Sequence, residues 1–323
     1  RIYGSSAAPV DWDAVRDVMI GYAERVIASG GRLNHVTRHM VGLFQGYAGA
    51  RRYRQILSSE ATKPGVSPEL IAEAGLYADR LSVNIELPTD ASLKRLAPEK
   101  QGRTIRQAMG VIHQGQQAVA NEPRAPRFTP AGQSTQVIVG ADSTDDSTLL
   151  RNAESLYQGY GLKRVYYSAF SPIPDSPGSV PLAAPPLLRE HRLYQADFLL
   201  RGYGYKAGEL LGHSGNLALD IDPKLAWALA NREVFPLDVN RAEPALLARI
   251  PGIGLRSVQR LVALRRERRI RYDDLIQLRC VLDKARPFIV TSDYRPAQAE
   301  LRSGLLRARL SEPPAPVQMG LWG

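Results

Sequence analysis

Apolar residues in the first sixty positions recur at the spacing of an amphipathic helix. One such series is formed by Val15, Val18, Met19, Tyr22 and Val26, which predicts a helix that ends at the glycines 30 and 31. Similar patterns predict helices over 33–44 and 50–57, and nothing in this stretch alternates as a strand does. Residues 1–64 are therefore predicted to form a small helical domain.

The pattern changes after residues 63–65 (KPG). Apolar and polar residues alternate over 81–87, which predicts a strand, and short β-branched or aromatic runs predict two more over 135–139 and 163–170. Helical periodicity separates them over 104–121 and 147–160. Strands that alternate with helices at these lengths predict parallel βα units. The predicted fold class is α/β, with an incomplete (β/α) barrel over residues 65–205.

The C-terminal third returns to helical spacing. Helices are predicted over 243–250 and 255–266, separated by the tight turn Pro251-Gly-Ile-Gly254. These helices place an all-α domain over residues 206–300, although 205–236 fit no clear pattern. Residues 301–323 contain several prolines and are predicted to form a tail.

Positive charge is concentrated at the two ends of the chain. The net charge is +10. Residues 1–65 contain nine Lys/Arg and five Asp/Glu, residues 66–210 contain fifteen of each, and residues 211–323 contain eighteen Lys/Arg and twelve Asp/Glu. Basic ends on either side of a neutral middle indicate contact with a polyanion. The alternative is that these charges only solvate exposed faces.

The chain offers little chemistry of its own. Cys280 is its single cysteine, so no disulfide or cysteine-based cluster forms within it, and neither catalytic nor metal-ligating residues are predicted. His35 and His39 could share one helix face, but a third ligand is lacking. With no signal peptide and no apolar stretch of membrane-spanning length, the expected location is cytoplasmic, without membrane contact. The start at Arg1 rather than methionine indicates a fragment.

The turn at 251–254 is the clearest candidate site. Its two glycines are expected to allow positive φ and to leave the amides that open the second helix bare for a phosphate. The turn and its flanking apolar helices resemble the helix-hairpin-helix family, which binds the DNA backbone without reading sequence. The predicted DNA contacts are Gly252, Gly254, Arg256, Ser257 and Arg260. A hairpin used only for protein packing is the alternative.

Four motifs stand out between residues 64 and 289: LSVNIELPT at 81–89, PAGQSTQ at 130–136, YYSAFSP at 166–172 and LLREHRLY at 187–194. Through them this segment resembles radical SAM proteins of DNA modification or repair that end in a helix-hairpin-helix. It implies that Asn84 and Glu86 face S-adenosylmethionine and that Gly140 lies by its adenine. The alternative is an ordinary strand with one solvent-exposed face. Such enzymes hold an iron–sulfur cluster with three cysteines, which this chain lacks, so no cofactor is expected in it.

Residues 1–64 contain a different set of motifs: RIYG at 1–4, RLNHVTRHM at 32–40, GLFQG at 42–46 and GARRYR at 49–54. With these motifs the segment resembles the C-terminal helical domain of A-type tRNA-dihydrouridine synthases. It implies tRNA contacts at Arg38, Arg51, Arg52 and Arg54, and an FMN-binding barrel that would lie upstream. The change between the two resemblances at 63–68 predicts a recombined junction, or alternatively a natural fusion.

The last residues, Gln318 to Trp322, are similar to the short peptides with which bacterial repair proteins bind the sliding clamp, although a tail without a partner fits equally. Three hypotheses follow for the whole chain. The first is a DNA-binding remnant of a radical SAM modification or repair protein. The alternative is a tRNA-dihydrouridine synthase fragment that binds tRNA, and the third is a structural protein that binds neither. Whether the chain is itself an enzyme stays open.

Overall fold

A computed structural model describes residues 25–30, 33, 80–121, 129–172, 180–211 and 215–311. The chain divides into two compact units. The sheet unit contains residues 1–142, 155–168 and 172–182, and the hairpin unit contains 143–154, 169–171 and 183–323.

Three strands form the sheet of the sheet unit. They are β1 (Leu81–Ser82), β2 (Gln133–Val139) and β3 (Arg164–Ala169), in the order β1-β2-β3. β1 runs parallel to β2, with Leu81 opposite Gln133. The predicted strand over 81–87 ends early, because the chain leaves the ladder after Ser82 and returns only at Glu86, in a single parallel bridge to Val137. Glu86 itself has a φ of 59°, which interrupts an extended strand.

Three helices alternate with these strands along the chain. They are α1 (Asp90–Leu96), α2 (Gly102–Ala120) and α3 (Asp146–Tyr160), of which residues 155–160 belong to the sheet unit. The hydroxyl of Thr89 accepts a hydrogen bond from the Ser92 amide at 3.0 Å and so caps the start of α1. Gln133 fixes α2 and the end of α3 to β2, because its side-chain amide donates to the carbonyls of Met109 and Tyr160 at 3.1 and 2.5 Å.

The first helices of the hairpin unit are α4 (Leu187–Tyr203), α5 (Ala207–Leu210) and α6 (Pro223–Ala230). Gly204 ends α4 in the left-handed conformation, with a φ of 71°. Arg249 contacts residues in or next to α5 and α6. Its guanidinium lies over the rings of Tyr205 and Trp227, 4.3 and 4.6 Å from their centroids. It also forms an ion pair with Glu209 at 2.7 Å.

Two short helical hairpins follow. The first hairpin consists of α7 (Pro244–Leu247), the turn 251–254 and α8 (Leu255–Glu267). The second hairpin consists of α9 (Tyr272–Gln277), the turn 278–281 and α10 (Leu282–Ala285). Strands β4 (Leu237–Asp238) and β5 (Ile289–Val290), which flank the pair of hairpins, lie parallel to each other. The helices α11 (Gln298–Arg302) and α12 (Leu306–Leu310) complete the unit.

The fold is thus a mixture of helices with short parallel strands. The predicted α/β class agrees with it at this level, and the described residues contain three strands of one sheet rather than a closed barrel. Among those residues, no helix combines the length and the apolar composition needed to cross a lipid bilayer.

Candidate nucleic-acid interface

Gly252 is required by the packing of the first turn. Its φ is +79°, and a Cβ at this position would lie 2.3 Å from the carbonyl oxygen of Val281. The same two residues are joined by a hydrogen bond from the Val281 amide to the Gly252 carbonyl at 2.9 Å. The absence of a side chain at Gly252 therefore serves contact with the second hairpin.

Gly254 differs from Gly252 in this respect. It is the residue before α8, with a φ of −88° and a ψ of 164°, a conformation that any residue adopts. The expectation of positive φ at both glycines was therefore wrong for Gly254. A Cβ there would meet nothing nearer than the Tyr203 hydroxyl, 3.8 Å away, so Gly254 leaves open space at the start of the helix.

The amides that begin α8 are available to a ligand. No side chain caps this helix, and within the described ranges the N–H groups of residues 255–257 have no acceptor. Pro251 and Ile253 are buried, but Gly254 and Leu255 are partly exposed and Arg256 is exposed. Uncapped amides at a helix start are suited to an anion.

The arginines of this region separate into two groups. Nine lie between residues 241 and 271, and five of these have partners inside the protein, namely Arg241 with Asp238, Arg249 with Glu209, Arg265 with the Ala242 carbonyl, Arg268 with Asp274 and Arg271 with Asp293. The hydrogen bond from Arg268 lowers the pKa of the Asp274 carboxyl, which favours an ionic pair.

The other four arginines are exposed and have no partner in the described part of the chain: Arg256, Arg260, Arg266 and Arg269. Two of them, Arg256 and Arg260, lie one turn apart near the start of α8, and the other two lie at and beyond its end. Free positive charge thus accompanies the uncapped amides.

Ser257 does not belong to this open surface. It is buried, and its hydroxyl donates to the carbonyl of Leu278 at 2.8 Å. The side chain links the first hairpin to the second, so the predicted contact of its hydroxyl with phosphate has no geometric support.

Lys224 contacts the first turn through its side chain. The sequence patterns did not predict a role for this residue. Its ammonium donates to the Ile253 carbonyl at 2.6 Å and lies 4.8 Å from the centre of the Tyr203 ring. Burial lowers the pKa of Lys224 to about 7, against the opposing charge of Asp222. The residue stands in the region 205–236, where no periodicity was evident.

The predicted cofactor residues all lie in the sheet unit. Glu86 is paired with Lys100 at 2.6 Å, Asn84 accepts a hydrogen bond from Ser82 at 2.9 Å, and Gly140 follows β2 with a φ of +81°. Because the Glu86 carboxylate already has a cationic partner, S-adenosylmethionine would have to compete with Lys100 for it.

The described residues do not fit an iron–sulfur cluster. They contain no group of three His, Cys, Asp or Glu side chains arranged to hold a metal, and residues 1–323 include only one cysteine. Several further predictions lie outside the described ranges: the tRNA contacts Arg38, Arg51, Arg52 and Arg54, the pair His35 and His39, and the clamp-like peptide from Gln318 to Trp322.

Comparison with known proteins shows similarity to one group of tRNA-modifying enzymes. A stretch of 68 residues is 48% identical to a tRNA-dihydrouridine(20/20a) synthase of Shewanella oneidensis and covers 21% of this chain and 20% of that protein. The enzymes of that name from Escherichia coli K12 and Vibrio parahaemolyticus are 45% and 40% identical over 81 and 74 residues, or 24% and 23% of their lengths. The chain therefore spans about a fifth to a quarter of the curated relatives it matches.

No family model matches the chain, and no solved structure matches it either. The resemblance to radical SAM proteins and to the helix-hairpin-helix family consequently remains a prediction from sequence. The similarity of one segment to tRNA-dihydrouridine synthases is supported by the comparisons.

Proposed function

We propose that the chain binds nucleic acid and that tRNA is its partner. The observation that carries this proposal is the segment that is 48% identical over 68 residues to an enzyme named for its action on tRNA. Arg38, Arg51, Arg52 and Arg54 supply the contacts, since guanidinium groups pair well with phosphate oxygens. The reaction of the relatives is not part of the proposal, because the match covers 20% of that enzyme.

Full-length protein in which these four arginines are replaced by alanine tests the proposal. We expect its affinity for tRNA to fall by at least about tenfold, with a salt dependence that is smaller by about three to four released counterions. The matched control replaces four exposed arginines elsewhere, Arg95, Arg103, Arg295 and Arg302, which changes the net charge equally. Equal losses of tRNA affinity in the two variants would contradict the placement of the tRNA contacts in the first 64 residues.

A second candidate function is favoured by the geometry of the first hairpin. It binds the phosphate backbone, including that of duplex DNA, through the amides of residues 255 and 256 and the side chains of Arg256 and Arg260. Support comes from the uncapped start of α8 beside two arginines that lack partners among the described residues. Contacts of this kind position a protein on nucleic acid without specifying sequence.

Two pairs of substitutions on one helix test this function. Replacing Arg256 and Arg260 by alanine should weaken binding to duplexes of any sequence by about tenfold, and should lower the salt slope by about two. The control pair, Arg266→Ala with Arg269→Ala, removes the same charge from the far end of α8. If both pairs lower the affinity equally, binding reflects a diffuse positive field and the turn is not the site.

Gly254 provides a test that changes no charge. Gly254→Ala adds a methyl group into open space, so the fold should be unaffected while an approaching phosphate meets an obstacle. We expect about fivefold weaker binding. Unchanged affinity would argue against use of the amides.

A further inference from the structure

Phe198 is an apolar residue on the exposed face of its helix. On α4 the apolar residues Leu193, Ala196 and Leu199 are buried, whereas the Phe198 side chain is 53% exposed. An aromatic ring left in water is a costly surface position, and it gains free energy when another flat apolar group covers it.

The ring is held in a fixed place beside the first hairpin. Phe198 packs edge to face against Tyr203, with 5.6 Å between the ring centroids. Tyr203 is itself fixed by the Lys224 ammonium over its ring. The Tyr203 hydroxyl lies 3.8 Å from the point where a Cβ at Gly254 would be. The aromatic pair therefore borders the open start of α8.

The charged residues near the Phe198 ring favour a polyanionic partner over a cationic or purely apolar one. Asp197 is the acidic residue next to Phe198, but it is buried and paired with Arg201 at 2.8 Å. On the hairpin side, Arg256 is exposed and follows Gly254 by two residues. A flat apolar surface beside cationic groups matches the chemistry of a nucleotide, whose base is flat and whose phosphate is charged.

We infer that Phe198 stacks on an unpaired base of a single-stranded nucleic acid, while Tyr203 and Arg256 contact the adjoining phosphate. This inference rests on the proposed binding of backbone by the first hairpin and adds the class of strand that is bound. In a duplex the faces of the bases are covered by their neighbours, so only a single strand or a loop offers a face to Phe198.

Binding of short oligonucleotides to full-length protein tests the inference. The probes are a single strand with 2-aminopurine at its centre, made in both ribonucleotide and deoxyribonucleotide form, and a duplex of the same sequence. Phe198→Ala should weaken binding of both single strands by about tenfold or more and that of the duplex by less than about twofold. Wild-type protein should quench the 2-aminopurine fluorescence, and Phe198→Ala should not.

Two further variants separate stacking from other effects. Phe198→Trp keeps a flat ring and should retain affinity and quenching, whereas Phe198→Leu keeps apolar bulk and should behave like Phe198→Ala. Equal behaviour of the tryptophan and leucine variants, or unchanged single-strand binding by Phe198→Ala, would overturn the inference. The latter result would also fit a ring that contacts a protein partner.

The outcome for the hairpin itself is distinguishable. Arg256→Ala with Arg260→Ala should weaken single strands and duplexes alike. If this double variant lowers the affinity for single strands and duplexes while Phe198→Ala changes neither, the backbone site is supported and the stacking site is wrong. If wild-type protein binds none of the probes, both are wrong.

Discussion

The two hairpins have nearly the same turn but offer different surfaces. In each, a residue with positive φ precedes the next helix: Gly252 at +79° before α8 at Leu255, and Arg279 at +59° before α10 at Leu282. The residue that immediately precedes the helix is Gly254 in the first hairpin and Val281 in the second. The two turns thus share a left-handed residue three positions before the next helix, while the side chains along them differ.

This difference separates two roles that glycine has in such a turn. Positive φ belongs to the turn, because the second hairpin adopts it even with an arginine at that position. Access for a phosphate depends on the residue that precedes the helix, where the first hairpin has no side chain and the second has Val281, 54% exposed. The helix that follows also differs, with 13 residues in α8 and four in α10. The dipole at the start of the longer helix is the stronger of the two.

The largest effect is expected from Gly252→Ala. Its methyl group would lie 2.3 Å from the Val281 carbonyl oxygen, at a φ of +79°, so the free energy of unfolding should fall by about 3 kcal/mol. Denaturant unfolding measures this change. Gly254→Ala is the matched control and should cost less than about 1 kcal/mol; similar losses at both glycines would contradict the separation of roles.

Lys224 should make the stability of the first turn depend on pH. Its pKa is lowered from 10.5 to about 7 in the folded protein, so between these values the unfolded chain binds the extra proton. The free energy of unfolding should therefore rise with pH from about 7 to 10, by a few kcal/mol, and be lost as pH falls through that window.

Lys224→Met isolates this contribution. The difference between the unfolding free energies of wild type and variant should change across pH 7 to about 10, and it should be constant below that range. Parallel pH curves for the two proteins would show that the ammonium is not buried.

Ser257→Ala tests the link between the hairpins. Loss of the hydrogen bond to the buried Leu278 carbonyl should cost about 1–2 kcal/mol, measured by denaturant unfolding. Nucleic-acid binding should stay within about twofold of wild type under conditions where the variant is folded. A large loss of binding would return Ser257 to the set of phosphate contacts.

The smallest effect is a stabilisation. Arg279→Gly relieves a left-handed conformation at a residue with a Cβ and should raise the free energy of unfolding by about 0.5–1 kcal/mol, after the larger entropy of the unfolded glycine is subtracted. Arg279→Ala removes the same charge but keeps the Cβ, and should leave stability nearly unchanged. Thermal unfolding of the two variants distinguishes conformation from charge.

Periodicity predicted the long elements of the structure well. The predicted helix at 255–266 corresponds to α8, which ends at Glu267, and the predicted strand at 163–170 corresponds to β3 at Arg164–Ala169. These segments are long enough for one face to be buried throughout, so the pattern is visible in the sequence. The strand predicted at 81–87 is shorter in the structure, because the chain leaves the ladder after Ser82 and returns only in a single bridge at Glu86, whose φ is positive.

The candidate site was only partly visible in the sequence. The turn and its arginines were identified from the residues themselves, but charge alone gave nine arginines where the structure leaves four without partners among the described residues. The contributions of Lys224 and Tyr203 could not be predicted, because they depend on how α4 and α6 pack against the turn. Short helices such as α5, with four residues, are stabilised by contacts like that of Arg249 and have too few positions to show a period.

The parallel contact between β4 and β5 has a consequence for how this part of the protein is organised. Leu237 lies opposite Ile289, so the chain enters and leaves the pair of hairpins at neighbouring points. Adjacent ends allow a segment to be inserted into a larger protein without moving the flanking chain apart. Removal of the hairpin pair would nevertheless break the contacts of Arg249 with Tyr205 and Trp227 and that of Ile253 with Lys224, so the pair and its surroundings depend on each other.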